Sequence, residues 1–158
     1  MNSRLVRADV VGTSLFVVAL AIAVPLRTER AAQVLIAVVS VALFAIGVSA
    51  SLWAYAAALE RSRVEEVGVA NLYLLTGTTA PPPVKRVLLS ALVVQVLASL
   101  GAAAVGVVGL DDSQLNALAF GVLVPMFGIG MNGAWAARYG SYGPRVNPTA
   151  KPSDRKIG

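Results

Sequence analysis

Two features of this chain have residue types that could do chemistry. The first is a set of polar side chains within or beside long apolar stretches, namely Asp9, Gln95 and Asn132. The second is the string Gly-Ile-Gly-Met-Asn-Gly at residues 128–133, which has the glycine spacing of dinucleotide-binding loops. The chain has no His and no Cys, which excludes imidazole bases, thiolate nucleophiles and the commonest zinc ligands.

Composition indicates the environment in which these residues must work. Of the 158 residues, 57% are hydrophobic and 13% are charged, whereas a soluble domain carries about 25% charged residues. A soluble domain of this size leaves much of its surface exposed and could not hide so much apolar area. The lipid bilayer is therefore the expected solvent.

Four charge-free runs define the elements that position the polar residues. They contain 17, 29, 24 and 23 residues and cover residues 10–26, 31–59, 87–110 and 115–137. A helix needs about 20 residues to cross a bilayer, and these runs lack the alternation of barrel strands. We predict an all-α, polytopic membrane domain over residues 1–137, with four transmembrane helices as two hairpins at about 8–26, 31–59, 86–110 and 115–137.

Basic residues predict the orientation. With both termini cytoplasmic, 11 of the 13 Lys and Arg residues fall on the inner side, as the positive-inside rule requires. The first apolar run also resembles a secretory signal with a small-residue cleavage site. Cleavage would leave three helices and is the alternative to a retained first helix.

The hydrophilic segments differ in length and composition. The outer loops are short, at residues 27–30 and 111–114, so no external domain is expected. In the cytoplasmic loop 60–85, the apolar stretch 67–75 could lie in the headgroups or pack on the bundle. Residues 138–158 form a basic tail that we expect to be disordered and to enforce the topology or contact anionic lipid.

Small residues and the glycine string are interpreted as packing surfaces. A dinucleotide site needs a preceding soluble strand, and residues 128–133 lie inside a predicted transmembrane helix. Small residues let helix backbones approach closely in a membrane. The predicted helix-packing positions are Ala98, Ala102, Gly106, Gly121, Pro125 and Gly128, with packing inside the monomer favoured over dimerisation.

The polar residues have alternative interpretations. Gln95 stands near a helix centre and, like Asn132, is expected to bridge helices or to line a substrate path. Asp9 is expected at the cytoplasmic edge of the first helix, where an acid suits the helix dipole. Ion or proton coupling is the alternative for Asp9, because carboxylates inside a membrane usually serve that role.

Two stretches resemble a known group of proteins. They are Asn-Leu-Tyr-Leu-Leu-Thr-Gly at residues 71–77, before Ala80 and Pro81, and the segment 120–140, which begins Phe-Gly-Val-Leu-Val-Pro-Met-Phe-Gly. The chain resembles small multi-pass actinobacterial membrane proteins of unassigned function. The resemblance implies no catalytic residues. The 10 Arg against 3 Lys, with abundant Ala and Val, suit a GC-rich bacterial genome, so the expected location is a bacterial inner membrane.

These observations predict a non-catalytic integral membrane protein, an accessory or scaffold subunit of a larger inner-membrane assembly. A small dimeric transporter or lipid flippase is the alternative. We expect no enzyme activity, no cofactor, no metal and no nucleic-acid partner. The expected partners are the lipid bilayer and other membrane subunits or a second copy of the chain.

Overall fold

The apolar runs fold into helices, because a helix satisfies its own backbone hydrogen bonds where no water is present. The computed structural model describes residues 4–107 and 117–145. The α-helices are α1 (Arg4–Ala23), α2 (Arg30–Arg61), α3 (Val69–Tyr73), α4 (Pro82–Val107) and α5 (Pro125–Tyr139), with a 3-10 helix at Ala117–Leu123 before α5.

Four segments are long and apolar enough to cross a membrane: α1, α2, α4 and the combined segment Ala117–Tyr139. This confirms the prediction of a multi-pass helical membrane protein. The predicted loop 111–114 and the tail from residue 146 onward lie outside the described residues.

The fourth spanning segment changes helix type part-way along its length. The backbone N–H groups of Val124 and Phe127 donate to carbonyl groups three residues earlier, at 3.0 and 2.8 Å. Pro125 is the first residue of α5, a position where its missing N–H removes no helical hydrogen bond. The segment is therefore a 3-10 half and an α-helical half that meet at Val124.

Helix α5 is the centre of the described structure. Phe127, Gly128 and every residue from 130 to 137 are buried, and α1, α2, α3 and α4 all contact this helix. By contrast, α2 buries only one residue in three or four: Ala32, Ile36, Ser40, Leu43, Gly47, Ser51, Ala54 and Ala58. The outer helices thus bury one narrow stripe each, while α5 is enclosed.

The backbones of α2 and α5 approach most closely at a pair of glycines. A Cβ at Gly47 would lie 2.5 Å from Met126 O and from Phe127 Cα. A Cβ at Gly130 would meet the backbone of Gly47. Because these neighbours are backbone atoms, a larger side chain at either position would push the helices apart.

The apolar part of the long loop packs on the bundle, which is one of the two placements considered from the sequence. Leu72 and Leu75 are 2% and 0% exposed and belong to a cluster with Val6, Leu88 and Trp135. Two residues after the end of α3, Leu75 adopts a positive φ of 53°, a costly conformation for a branched side chain. The burial of its side chain stabilises this turn.

Gly47→Ala is expected to destabilise the folded protein by about 2 kcal/mol, because the added methyl group overpacks against backbone. Gly101→Ala is the matched control, since a Cβ at Gly101 has no neighbour within 4 Å in the described structure. Unfolding of both variants in detergent, followed by circular dichroism, measures the difference. Equal midpoints for the two variants would contradict the close approach of α2 and α5.

Candidate functional site

A buried polar cluster joins three of the spanning segments. Gln95 lies near the middle of α4 and is 0% exposed. Its side-chain Oε1 accepts a hydrogen bond from the backbone N–H of Gly128 at 3.1 Å. Its Nε2 donates to Thr13 Oγ1 on α1 at 2.7 Å. One amide therefore links α4 to both α1 and α5.

Asp9 completes this cluster. Its side chain is 0% exposed, and Gln95 Nε2 approaches Asp9 Oδ1 at 3.5 Å. Thr13, one turn later on α1, donates from Oγ1 to the Asp9 backbone carbonyl at 2.8 Å. The other carboxyl oxygen, Oδ2, is buried and has no hydrogen-bond partner in the described part of the chain.

The structure places Asp9 differently from the expected start of the first helix, because α1 begins at Arg4 and not at about residue 8. Asp9 is the sixth residue of α1, in its second turn, and it faces the bundle interior beside the middle of α4. The reason is helix packing: α1 buries the stripe that contains Val6, Asp9, Thr13 and Phe16. Asp9 is therefore an interior residue of a spanning helix and does not cap a helix end.

The cluster lies at the start of α5, inside the bundle. The first turn of a helix exposes unpaired N–H groups and carries a partial positive charge. Gln95 satisfies one of these donors, that of Gly128, and its amide then presents N–H groups toward Asp9. Chemically, the arrangement can hold helices together and can stabilise the charged form of the Asp9 carboxyl.

Asn132 makes a second polar contact inside the bundle. Its Nδ2 donates to the backbone carbonyl of Tyr73 at 3.1 Å, and the Tyr73 hydroxyl donates to Ser51 O at 3.0 Å. Burial raises the pKa of Tyr73, with a smaller contribution from Tyr55, so this hydroxyl stays a donor at neutral pH. Asn132 thus anchors α3 to α5, at a place separate from the Gln95 cluster.

The three glycines of the string 128–133 have three different neighbours. A Cβ at Gly128 would collide with Gln95 Oε1, and one at Gly133 would lie 2.7 Å from the ring of Tyr73. Gly130 faces the backbone of Gly47. Each glycine makes room for a different element, and the string lies within α5 with no strand before it among the described residues.

The other predicted packing positions vary in burial. Ala102 and Gly106 are buried in α4, and Ala98 is half-buried beside them. Gly121 is buried in the 3-10 helix, where a Cβ would lie 3.3 Å from the ring of Phe16. The half-buried Pro125 begins α5.

A set of contacts around Arg61 closes the end of the bundle where α2 and α5 terminate. The guanidinium pairs with Glu65 at 2.7 Å and donates to the carbonyl groups of Ala137 and Gly140 at 3.1 and 3.0 Å. It also lies 4.7 Å from the centre of the Tyr142 ring. A cation at the end of α5 is favourable because the last carbonyl groups lack helical partners.

Sequence reasoning missed Thr13 and Arg61 as contributors to these contacts. For Thr13 a signal exists, since it follows Asp9 by four residues and so shares its helix face. Arg61 acts through segments far away in sequence, so its spacing carries no signal.

Within the described residues, no group of three or more Asp or Glu side chains could hold a metal ion. No protein-family model, curated protein or solved structure matches this chain. The resemblance to actinobacterial membrane proteins therefore stays a prediction.

Gln95→Leu is expected to lower the free energy of unfolding by about 1–3 kcal/mol, because it leaves the Gly128 N–H and the Asp9 carboxyl without their partner. Ser90→Ala is the control on the same helix, since Ser90 is exposed and bonds only to its own helix in the described structure. Denaturant titration in mixed micelles measures the free energy of unfolding of both variants. A Gln95→Leu variant as stable as Ser90→Ala would show that the cluster does not hold the helices together.

Proposed function

We propose that this chain is a non-catalytic integral membrane protein that serves as an accessory or scaffold subunit of a larger inner-membrane assembly. Its own helices enclose α5, so the interior is filled by side chains from the chain itself. The Gln95 amide, the Asn132 Nδ2 and the Tyr73 hydroxyl bond to backbone or to neighbouring helices. Of the outer faces that remain exposed, that of α2 is the one proposed for contact.

One observation carries the proposal: α2 presents small residues outward as well as inward. Ala42, Ala45, Ser49 and Ala56 are exposed, and their spacing of three, four and seven residues places them on one face. Ser49 satisfies its hydroxyl on Ala45 O within the helix. Inward-facing small residues of α2 are explained by α5, but this outer face has no such partner in the described chain. Small outer faces of spanning helices suit close contact with another helix.

Orientation is part of the same proposal. The excess of Lys and Arg at one end supports an inner-membrane protein with both termini in the cytoplasm. The first helix is proposed to be retained, and the four spanning segments to form two hairpins. Contacts of α1 with α2 and of α4 with the 3-10 helix support that arrangement.

Mild-detergent purification from native membranes is expected to recover membrane-protein partners in fixed stoichiometry. Ala45→Leu should reduce their recovery by roughly tenfold, corresponding to about 1.4 kcal/mol of lost association, because the larger side chain prevents close approach. Ala21→Leu is the matched control, since Ala21 is exposed on α1. Quantitative mass spectrometry of the purified material measures both.

A clean monomer or a homodimer without other subunits would contradict the subunit proposal. Equal recovery of partners with Ala45→Leu and Ala21→Leu would show that the α2 face is not the contact. In both variants the melting temperature in detergent should match that of the unsubstituted chain, because neither residue is buried.

A small dimeric transporter or lipid flippase is the second candidate. The change from 3-10 helix to α-helix beside the Gln95 cluster favours it, since irregular helical segments beside polar groups are typical of transporter binding sites. Substrate-dependent uptake into proteoliposomes that contain only this chain would support this candidate. Homodimers with no uptake would count against both functions.

A further inference from the structure

We propose that Asp9 is a proton-binding site within the bundle, at the junction of α1, α4 and the first turn of α5. This inference goes beyond the subunit function and does not depend on any partner. The binding step is the addition of one proton from water to the Asp9 carboxylate, and its release is the reverse. No bond other than O–H forms or breaks.

The geometry of the carboxyl group supports a proton as the ligand. Asp9 Oδ2 is buried and has no hydrogen-bond partner among the described residues, so one oxygen is free to accept a proton. Oδ1 has only the 3.5 Å approach of Gln95 Nε2, which is longer than a strong charge-assisted hydrogen bond. The carboxyl is therefore held in place while one oxygen stays unoccupied.

A metal cation fits this site poorly. The Gly128 N–H donates to Gln95 Oε1, which orients the amide so that its Nε2, a donor, faces Asp9. Thr13 Oγ1 donates to the Asp9 carbonyl and accepts from Gln95. A hard cation needs several oxygen ligands, and the neighbours of the carboxyl offer N–H groups in their place.

The charged and titratable groups on the elements around Asp9 stand at the helix ends. On α1 they are the exposed Arg4 and Arg7, and on α3 it is Tyr73, whose hydroxyl bonds to Ser51. On α4 they are Lys85 and Arg86. On α2 they are Arg30, Tyr55, Glu60 and Arg61. On α5 they are Arg138 and Tyr139. Between Gly12 and Ala23, Val87 and Val107, and Pro125 and Ala137, these helices carry no charged side chain. Among the charged side chains of these helices, Asp9 is thus the one that is buried inside the bundle.

A change of charge at Asp9 acts directly on helix contacts. The hydrogen-bond chain runs from the Gly128 N–H through the Gln95 amide to Thr13 and Asp9, so the Gln95 Nε2 donor is directed toward the carboxyl. A carboxylate strengthens this chain, and a neutral acid weakens the contact with Gln95 Nε2. Proton binding at Asp9 therefore alters the interaction of α1 and α4 at the place where the fourth spanning segment changes helix type.

Infrared spectra of the purified chain in liposomes, recorded over a range of pH, test the proposal. We expect a titrating carboxylic-acid C=O band at higher frequency than that of carboxyl groups in water, because the Asp9 environment is dry. Asp9→Asn should abolish this band, and Glu60→Gln should retain it, since Glu60 is exposed on α2. Gln95→Leu should move the band to higher frequency, because it removes the one N–H that approaches Oδ1.

The unsubstituted chain provides a test that does not depend on a variant folding. The chain has eight acidic residues, and labelling Asp alone with carbon-13 at the side-chain carboxyl shifts Asp bands but not Glu bands. The high-frequency band should shift with this label. Absence of a titrating high-frequency band, its persistence in Asp9→Asn, or its failure to shift with the label would overturn the proposal. None of these outcomes bears on whether the chain has partner subunits.

Discussion

The described structure depends on the enclosure of one helix. Helix α5 contacts α1, α2, α3 and α4, so it has no face that lipid alone can cover. Other elements can pack closely around an enclosed helix only if its residues are small at the points of closest contact. Gly128 makes room for the Gln95 amide, Gly130 for the backbone of α2, and Gly133 for the ring of Tyr73. The outer helices, with one buried stripe each, are free to be apolar outside.

Enclosure also explains the buried polar side chains. The first turn of α5 starts inside the bundle, where its N–H groups have no water and an unsatisfied donor is costly. Gln95 reaches across from α4 to satisfy Gly128, and the remaining half of its amide then needs acceptors. Thr13 and Asp9 on α1 provide them. The interior carboxyl is thus a consequence of how the fourth spanning segment begins its α-helical half.

Charge spacing in the sequence predicted the spanning segments closely, because charged residues are excluded from hydrocarbon. The predicted fourth helix at 115–137 compares with the observed segment Ala117–Tyr139. The interior position of Asp9 was not predictable in the same way, since it depends on which face α1 turns toward α4. Docking of α3 likewise depends on Asn132 and Tyr73, which are 59 residues apart. The local pattern of charged and apolar residues indicates whether a segment faces water or lipid, whereas these contacts depend on packing between distant segments.

Lipid photolabelling tests the enclosure of α5 most directly. The chain would be placed in liposomes with a diazirine-bearing lipid, illuminated, and its adducts mapped by mass spectrometry. Adducts are expected on outward-facing residues such as Val18 on α1, Leu52 on α2 and Leu97 on α4, which are 56%, 66% and 66% exposed. Residues Met131 to Ala137 of α5 should remain unlabelled. Adducts on those residues at a yield similar to that of Leu97 would contradict the enclosure of α5.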